Sequence, residues 1–160
     1  MNPELPPHRL SVALWQPKIA PNTGNVARLC VATGTTLHLI RPLGFILSDR
    51  ELKRSAMDYW PRLKLTVHDD PAAFLTAMQG TRLWWFTSKA TQSIWEAIPR
   101  DGDCLVFGNE THGLPDALLH QHPQATLRIP QAPGERCLNL STAVGIGLYE
   151  VLRKISLTPS

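Results

Sequence analysis

The chain has 160 residues, 43% of them apolar and 18% charged, which supports one buried domain spanning 1–160 and excludes two domains with separate cores. Its formal charge of +3 is a mild basic bias that fits a polyanionic partner without demanding one. Cys30, Cys104 and Cys137, an odd number at wide spacing, suit neither a disulfide framework nor a paired-ligand zinc site, so reduced thiols and no metal are expected.

The amino terminus, with Pro3, Glu4, Pro6, Pro7 and His8, lacks the basic-then-apolar form of a secretory signal. No run of about 18 apolar residues occurs, so a cytoplasmic protein with no membrane partner is expected. Ser11 to Trp15 and Leu37 to Ile40 read as short buried strands, and Asn22 to Gly34 between them has helical spacing at Val26, Leu29, Cys30 and Thr33. Ser48 with Glu51 forms a capping box that opens a helix bearing Arg50, Lys53 and Arg54. Together with Arg41, Arg62 and Lys64 these cations make either a solvated face or an RNA-contacting patch.

Lys64 to Val67 is the next strand, and Asp70-Pro71 is a cap and first-turn pair for a helix through Met78 that Gly80 stops. Leu83 to Thr87 and Cys104 to Phe107 are strong strands, with a candidate short helix at Ile94 to Ile98 between them. Leu114 to Leu119 reads as helical and Thr126 to Ile129 as the last strand; His120 and His122, two apart, cannot share a helical face as metal ligands. Asn139 caps a final helix through Val144, Leu148 and Val151 to about Ile155, closing on Arg153 and Lys154, whose charge suits its dipole. Its apolar residues cover more than one stripe, which predicts a helix buried centrally or shared with a second subunit. Alternating strands and helices imply an α/β domain, a mostly parallel sheet with helices on both faces.

In such folds ligands bind in the loops at the carboxyl ends of the strands. Three of these are unusual. Pro21-Asn22-Thr23-Gly24-Asn25-Val26-Ala27-Arg28 leads into the first helix, with Asn22 and Asn25 as turn and cap residues and Arg28 on its second turn, within reach of a cleft edge. Leu105-Val106-Phe107-Gly108-Asn109-Glu110-Thr111-His112-Gly113-Leu114-Pro115 carries two glycines, which allow close backbone approach to a ligand, and one acid. Ile129-Pro130-Gln131-Ala132-Pro133-Gly134-Glu135-Arg136-Cys137-Leu138-Asn139-Leu140-Ser141 is a stiffened loop facing a helix amino terminus, able to offer backbone donors and acceptors to a nucleoside.

In order and spacing these segments resemble the SpoU branch of the SPOUT RNA methyltransferases, whose marks are an Asn-rich turn with arginine, Phe-Gly-x-Glu-x-x-Gly-Leu, and an Ile-Pro loop before Leu-Asn-Leu-Ser. The likeness spans nearly the whole chain. Leu52-Lys53-Arg54-Ser55-Ala56-Met57-Asp58-Tyr59 narrows it to the small tRNA 2'-O-methyltransferases acting on the wobble cytidine or uridine, position 34. The resemblance implies a deep trefoil knot near the carboxyl terminus, a homodimer, the anticodon stem-loop of tRNA as partner and S-adenosylmethionine as methyl donor. Carried onto this chain it places the donor at Phe86, Thr87, Gly108, Glu110, Gly113, Ile129, Cys137 and Leu138. It puts catalysis at Arg28; Arg136, preceding the cofactor loop, is the second choice for RNA or catalytic contact, and RNA contact is expected at Asn25, Arg41, Lys53 and Arg54. The chain departs from the group at Cys137, commonly serine, and at Asn109 and His112, where proline and arginine are frequent.

Methyl transfer to a ribose hydroxyl requires in-line alignment and loss of the hydroxyl proton. A guanidinium acting as base near pH 7 would cost about 7–9 kcal/mol at ~1.36 kcal/mol per pKa unit, so Arg28 reads instead as a charged clamp on phosphate and alkoxide. A Rossmann-type methyltransferase is disfavoured, because the second strand ends in Arg41-Pro42 rather than an acid, and Gly145 and Gly147 fall inside a helix where close packing explains them. Activity on another tRNA position or on rRNA, and a catalytically silent RNA-binding dimer, are the remaining alternatives.

Overall fold

The computed structural model describes residues 4–48 and 57–158. Six strands, β1 (Ser11–Trp15), β2 (Thr36–Ile40), β3 (Leu65–His68), β4 (Leu83–Phe86), β5 (Cys104–Phe107) and β6 (Thr126–Leu127), form one sheet in the order β3-β2-β1-β5-β4-β6. Every pairing is parallel, with Val12 opposite both Leu37 and Leu105. Strands buried on both faces suit a parallel sheet, and β1 and β5 are buried at every residue.

Alternation along the strands divides the core into two layers. Val12, Leu14, Leu37, Leu39, Leu105 and Phe107 face α1 (Ala20–Thr33) and α4 (Leu140–Leu157), which supply Val26, Cys30, Val144 and Leu148. On the other face Ala13, Trp15, Trp85 and Val106 meet Phe74 of α2 (Pro71–Ala77) and Leu119 of α3 (Asp116–Gln121). Each fully buried Val, Leu or Phe among them contributes roughly 1.5–3 kcal/mol. A Cβ on Gly147 would lie 2.8 Å from the ring of Phe86, so its bare backbone lets α4 press onto the stacked Phe86–Phe107 pair.

The helix ends follow local chemistry. Asp70 Oδ1 accepts from the Ala73 amide at 2.7 Å and Pro71 needs no donor in the first turn, as expected of that pair. Asn139 Oδ1 accepts from the amides of Ser141 and Thr142, and α4 runs to Leu157. Gly34, in the left-handed region at φ 70°, closes α1.

Three expectations are corrected. Helix α1 starts at Ala20, so Asn22 and Asn25 lie inside it rather than capping it, and the capping residue is Ile19. Ile94–Ile98 is no helix: Ile94 N donates to Arg128 O at 3.0 Å, Pro99 disfavours helical backbone at Ile98, and the Lys154 ammonium donates to the carbonyls of Ile94, Trp95 and Ala97. Helix α3 begins at Asp116 because Pro115 holds extended backbone, ψ 135°, leaving Leu114 as a buried anchor. The helix expected after Ser48, with Lys53 and Arg54, lies outside the described residues.

Candidate functional site

A cavity of about 490 Å³ opens at the carboxyl ends of β5, β4 and β6, beside the start of α1. Its wall comes from the start of α1 and from the segments following β4, β5 and β6. These include all three segments singled out by composition.

The first and second segments are tied by Glu110. Ile19 offers no side-chain cap to α1, and its amide and that of Lys18 donate to the Glu110 carboxylate, Ile19 at 2.6 Å and Lys18 at 3.1 Å. A carboxylate at a helix amino terminus is stabilised by the free N–H groups and the helix dipole. The acid therefore caps α1 from 91 residues away in sequence. Short-range capping patterns cannot reveal such a pairing.

Within the second segment the close approach made possible by Gly108 is internal. A Cβ there would sit 2.2 Å from the carbonyl carbon of Gly113, and Gly113 itself has φ 66°. Asn109 stands where proline is frequent in the resembled group, and its Oδ1 accepts from the amides of Thr111 and His112 at 3.0 and 2.8 Å. Side-chain acceptance two and three residues on is an Asx turn, which rigidifies the loop by a different route.

The third segment joins the first through Asn139 Nδ2, which donates to Oδ1 of the buried Asn22 at 3.0 Å. Gln131 Nε2 donates to the Arg136 carbonyl at 2.6 Å and closes the loop on itself. Cys137 Sγ donates to Ser88 Oγ at 3.6 Å, linking the segment to the end of β4. Lys89 and Asp116 pair at 2.6 Å across the rim, and the Lys89 ammonium holds the Asp116 carboxyl below its ordinary range. Burial pushes the thiols of Cys30 and Cys104 up to about 12, leaving them inert, whereas Cys137 is exposed.

Phe86, Thr87, Gly108, Glu110, Gly113, Ile129, Cys137 and Leu138 all line this one cavity. Sequence reasoning missed Ile19, Ser88 and Lys89 as wall residues, since none belongs to a recognisable pattern, and it quoted Gln131 within the third segment without singling it out. Arg28, Asn25, Arg41 and Arg136 are exposed and lie outside the wall. Asn25 and Arg28, three residues apart and both exposed, share an outward stripe of α1, and Arg41 directly follows β2. Among the described residues no three His, Cys, Asp or Glu side chains converge as a metal site, and no helix is long and apolar enough to cross a membrane.

An all-parallel α/β sheet with a loop-built cavity at the carboxyl ends of its strands, and no glycine-rich turn after β1, sets the chain apart from dinucleotide-binding α/β proteins. The chain belongs to the SpoU rRNA Methylase family, which it matches over residues 9–149. It is 43% identical over 147 residues to the tRNA (cytidine(34)-2'-O)-methyltransferase of Escherichia coli (strain K12), covering 91% of this chain and 94% of that one. The protein of the same name from Methylovorus glucosotrophus (strain SIP3-4) is 42% identical over 144 residues, 89% of this chain and 94% of the relative. A solved structure described as giving insights into the 2-OH methylation of C/U34 on tRNA superposes with a TM-score of 0.90 at 48% identity, covering 94% of this chain and 99% of that one.

Proposed function

We propose that the protein transfers a methyl group from S-adenosylmethionine to the ribose 2'-hydroxyl of the wobble nucleotide, position 34, of tRNA. The observation that carries this reading is the convergence of the three motif segments on one cavity, in a chain matched almost end to end by relatives bearing that activity in their names. The cavity fits the donor: its volume falls in the range for small-molecule sites, and Phe86, Leu127 and Leu140 offer apolar surface beside the backbone of the third segment. Bound there, the donor supplies an electrophilic methyl on a sulfonium. Glu110, Asn139 and the Asx turn at Asn109 act by holding the three walls in register, which is the positioning that an in-line transfer needs.

Arg28 holds an RNA phosphate through its guanidinium fork and stabilises charge developing on the ribose oxygen, while a phosphate oxygen or water takes the proton. Because Arg28 stands outside its own chain's cavity wall, the reading includes a homodimer that brings the exposed stripe of α1 to a partner's cavity. The adjoining face of α4, with Ile146 and Tyr149 exposed, supplies apolar surface for that contact. The trefoil knot, made by the second and third segments, and a cytoplasmic location belong to the same proposal, as do secondary roles in RNA contact for Asn25, Arg41, Lys53, Arg54 and Arg136.

Mapping ribose methyl groups after single-turnover reaction with tRNA tests it. The wild-type protein should mark nucleotide 34, and Arg28→Lys, which keeps the charge but loses the fork, should slow the reaction roughly 100-fold. Methylation of a different nucleotide refutes the substrate, and an unchanged rate in Arg28→Lys refutes the clamp.

A further inference from the structure

The basic stripe outside the cavity has an organiser, Tyr59, the last residue of the Leu52-to-Tyr59 segment. Tyr59 lies in a 3₁₀ segment, Met57–Arg62, that packs on α1, and Trp60 and Leu63 anchor this region to the core. The Arg28 guanidinium lies 5.0 Å from the centroid of the Tyr59 ring, and the Arg62 guanidinium lies 5.2 Å from the same centroid. The two cations are thus no further apart than those distances laid end to end, and both side chains are exposed.

A guanidinium flat against an aromatic face is held by its charge and its plane, and the contact consumes none of its five N–H donors. The ring therefore restricts two long, rotamer-rich side chains while leaving their hydrogen-bonding edges free. Prior restriction lowers the entropy lost when a ligand binds. Two like charges gathered on one ring also repel each other, and a bound anion relieves that repulsion. Planar forks in pairs suit phosphodiester oxygens better than any neutral group.

We propose that Tyr59 is a positioning residue that holds Arg28 and Arg62 as a two-guanidinium site for consecutive phosphodiesters of the substrate RNA, with Arg62 a direct RNA contact. The idea rests on the reading of Arg28 as a phosphate clamp and adds the partner and the platform. It predicts that the ring matters and the phenolic hydroxyl does not.

The test uses the full-length protein, an anticodon stem-loop RNA as probe, and affinity measured between 50 and 200 mM salt. Arg62→Gln should weaken binding about tenfold at the low-salt end, as expected for loss of a hydrogen bond to a charged group. It should also reduce the slope of log affinity against log salt by roughly 0.7–0.9, the signature of one lost phosphate contact. Tyr59→Leu should raise KM for RNA several-fold and lower the salt slope, and Tyr59→Phe should restore both. Donor binding by calorimetry should stay at the wild-type value in all three, since neither residue lines the cavity. A wild-type salt slope in Arg62→Gln, or a Tyr59→Phe that behaves like Tyr59→Leu, overturns the proposal. If the wild-type protein neither binds nor methylates the stem-loop, the function itself is refuted; if it does both and these variants match it, only the two-guanidinium site falls.

Discussion

The two ends of one sheet use a carboxylate in opposite ways. At the amino ends Asp103 is 4% exposed and its carboxylate accepts from Arg82 Nε and Nη2, Trp84 Nε1 and the Arg100 amide, with Nη2 at 2.6 Å. Arg82 in turn stacks 4.8 Å from the centroid of the Trp84 ring. At the carboxyl ends Glu110 is half-buried, accepts two backbone amides and lines the cavity. The first carboxylate is filled by donors from its own end of the sheet; the second, across 91 residues of sequence, fixes the start of α1 in the wall of the 490 Å³ cavity. Burial with complete pairing suits a stabilising role, and a tethered side chain in a cavity wall suits the ligand site proposed at this end.

Substitutions can separate the two ends. Asp103→Ala leaves Trp84 Nε1 without its buried acceptor and Arg82 without its partner, and should cost about 3 kcal/mol in urea unfolding while leaving donor affinity unchanged in the folded protein. Gly108→Ala drives a methyl into the Gly113 backbone, which cannot yield as a side chain can. It should cost about 2 kcal/mol and lower donor affinity at least tenfold by calorimetry, by the logic of overpacking. Glu110→Gln keeps an acceptor but removes the charge at the start of α1, so a loss of about 1 kcal/mol is expected, with a clear fall in donor affinity. If donor affinity drops in Asp103→Ala and holds in Glu110→Gln, the comparison is inverted and the division of labour is wrong.

A smaller effect comes from the β2–β3 edge of the sheet, away from both carboxylates. His38 and His68, on adjacent strands, share a 2.9 Å Nδ1–Nε2 hydrogen bond and pack against Phe74. Burial, aided by repulsion from His68, lowers His38 to about 4, and burial lowers His68 as well. The unfolded chain therefore binds more protons between its ordinary histidine range and pH 4, and stability must decline as pH falls through that window. Urea midpoints measured from pH 7 to 4.5 should show this slope, flattened in His38→Gln; a flat wild-type profile contradicts it.

Much of this was legible before the structure, for reasons of range. Strands β1 and β5 announce themselves because a doubly buried strand is almost wholly apolar, and Asp70 and Asn139 because a cap acts on amides two or three residues away. Ile94–Ile98 misled because Ile94 and Ala97 are spaced as on a helix, although they are buried beneath a turn clamped by Lys154. The start of α1 was misplaced because its cap is Glu110, distant in sequence. Gly108 was marked as a place where a ligand could approach the backbone; in the structure the close neighbour is the backbone of its own loop. The Arg28–Tyr59–Arg62 stack could not be read, since nothing local says that a 3₁₀ segment returns to α1.

A crystal structure with S-adenosylmethionine tests the central claim most directly. The donor should lie between the Gly108–Leu114 and Ile129–Asn139 segments, with its methyl open towards the side from which RNA arrives. A donor bound elsewhere, or a cavity left empty at saturating donor, would contradict the assignment of this end of the sheet as the site of methyl transfer.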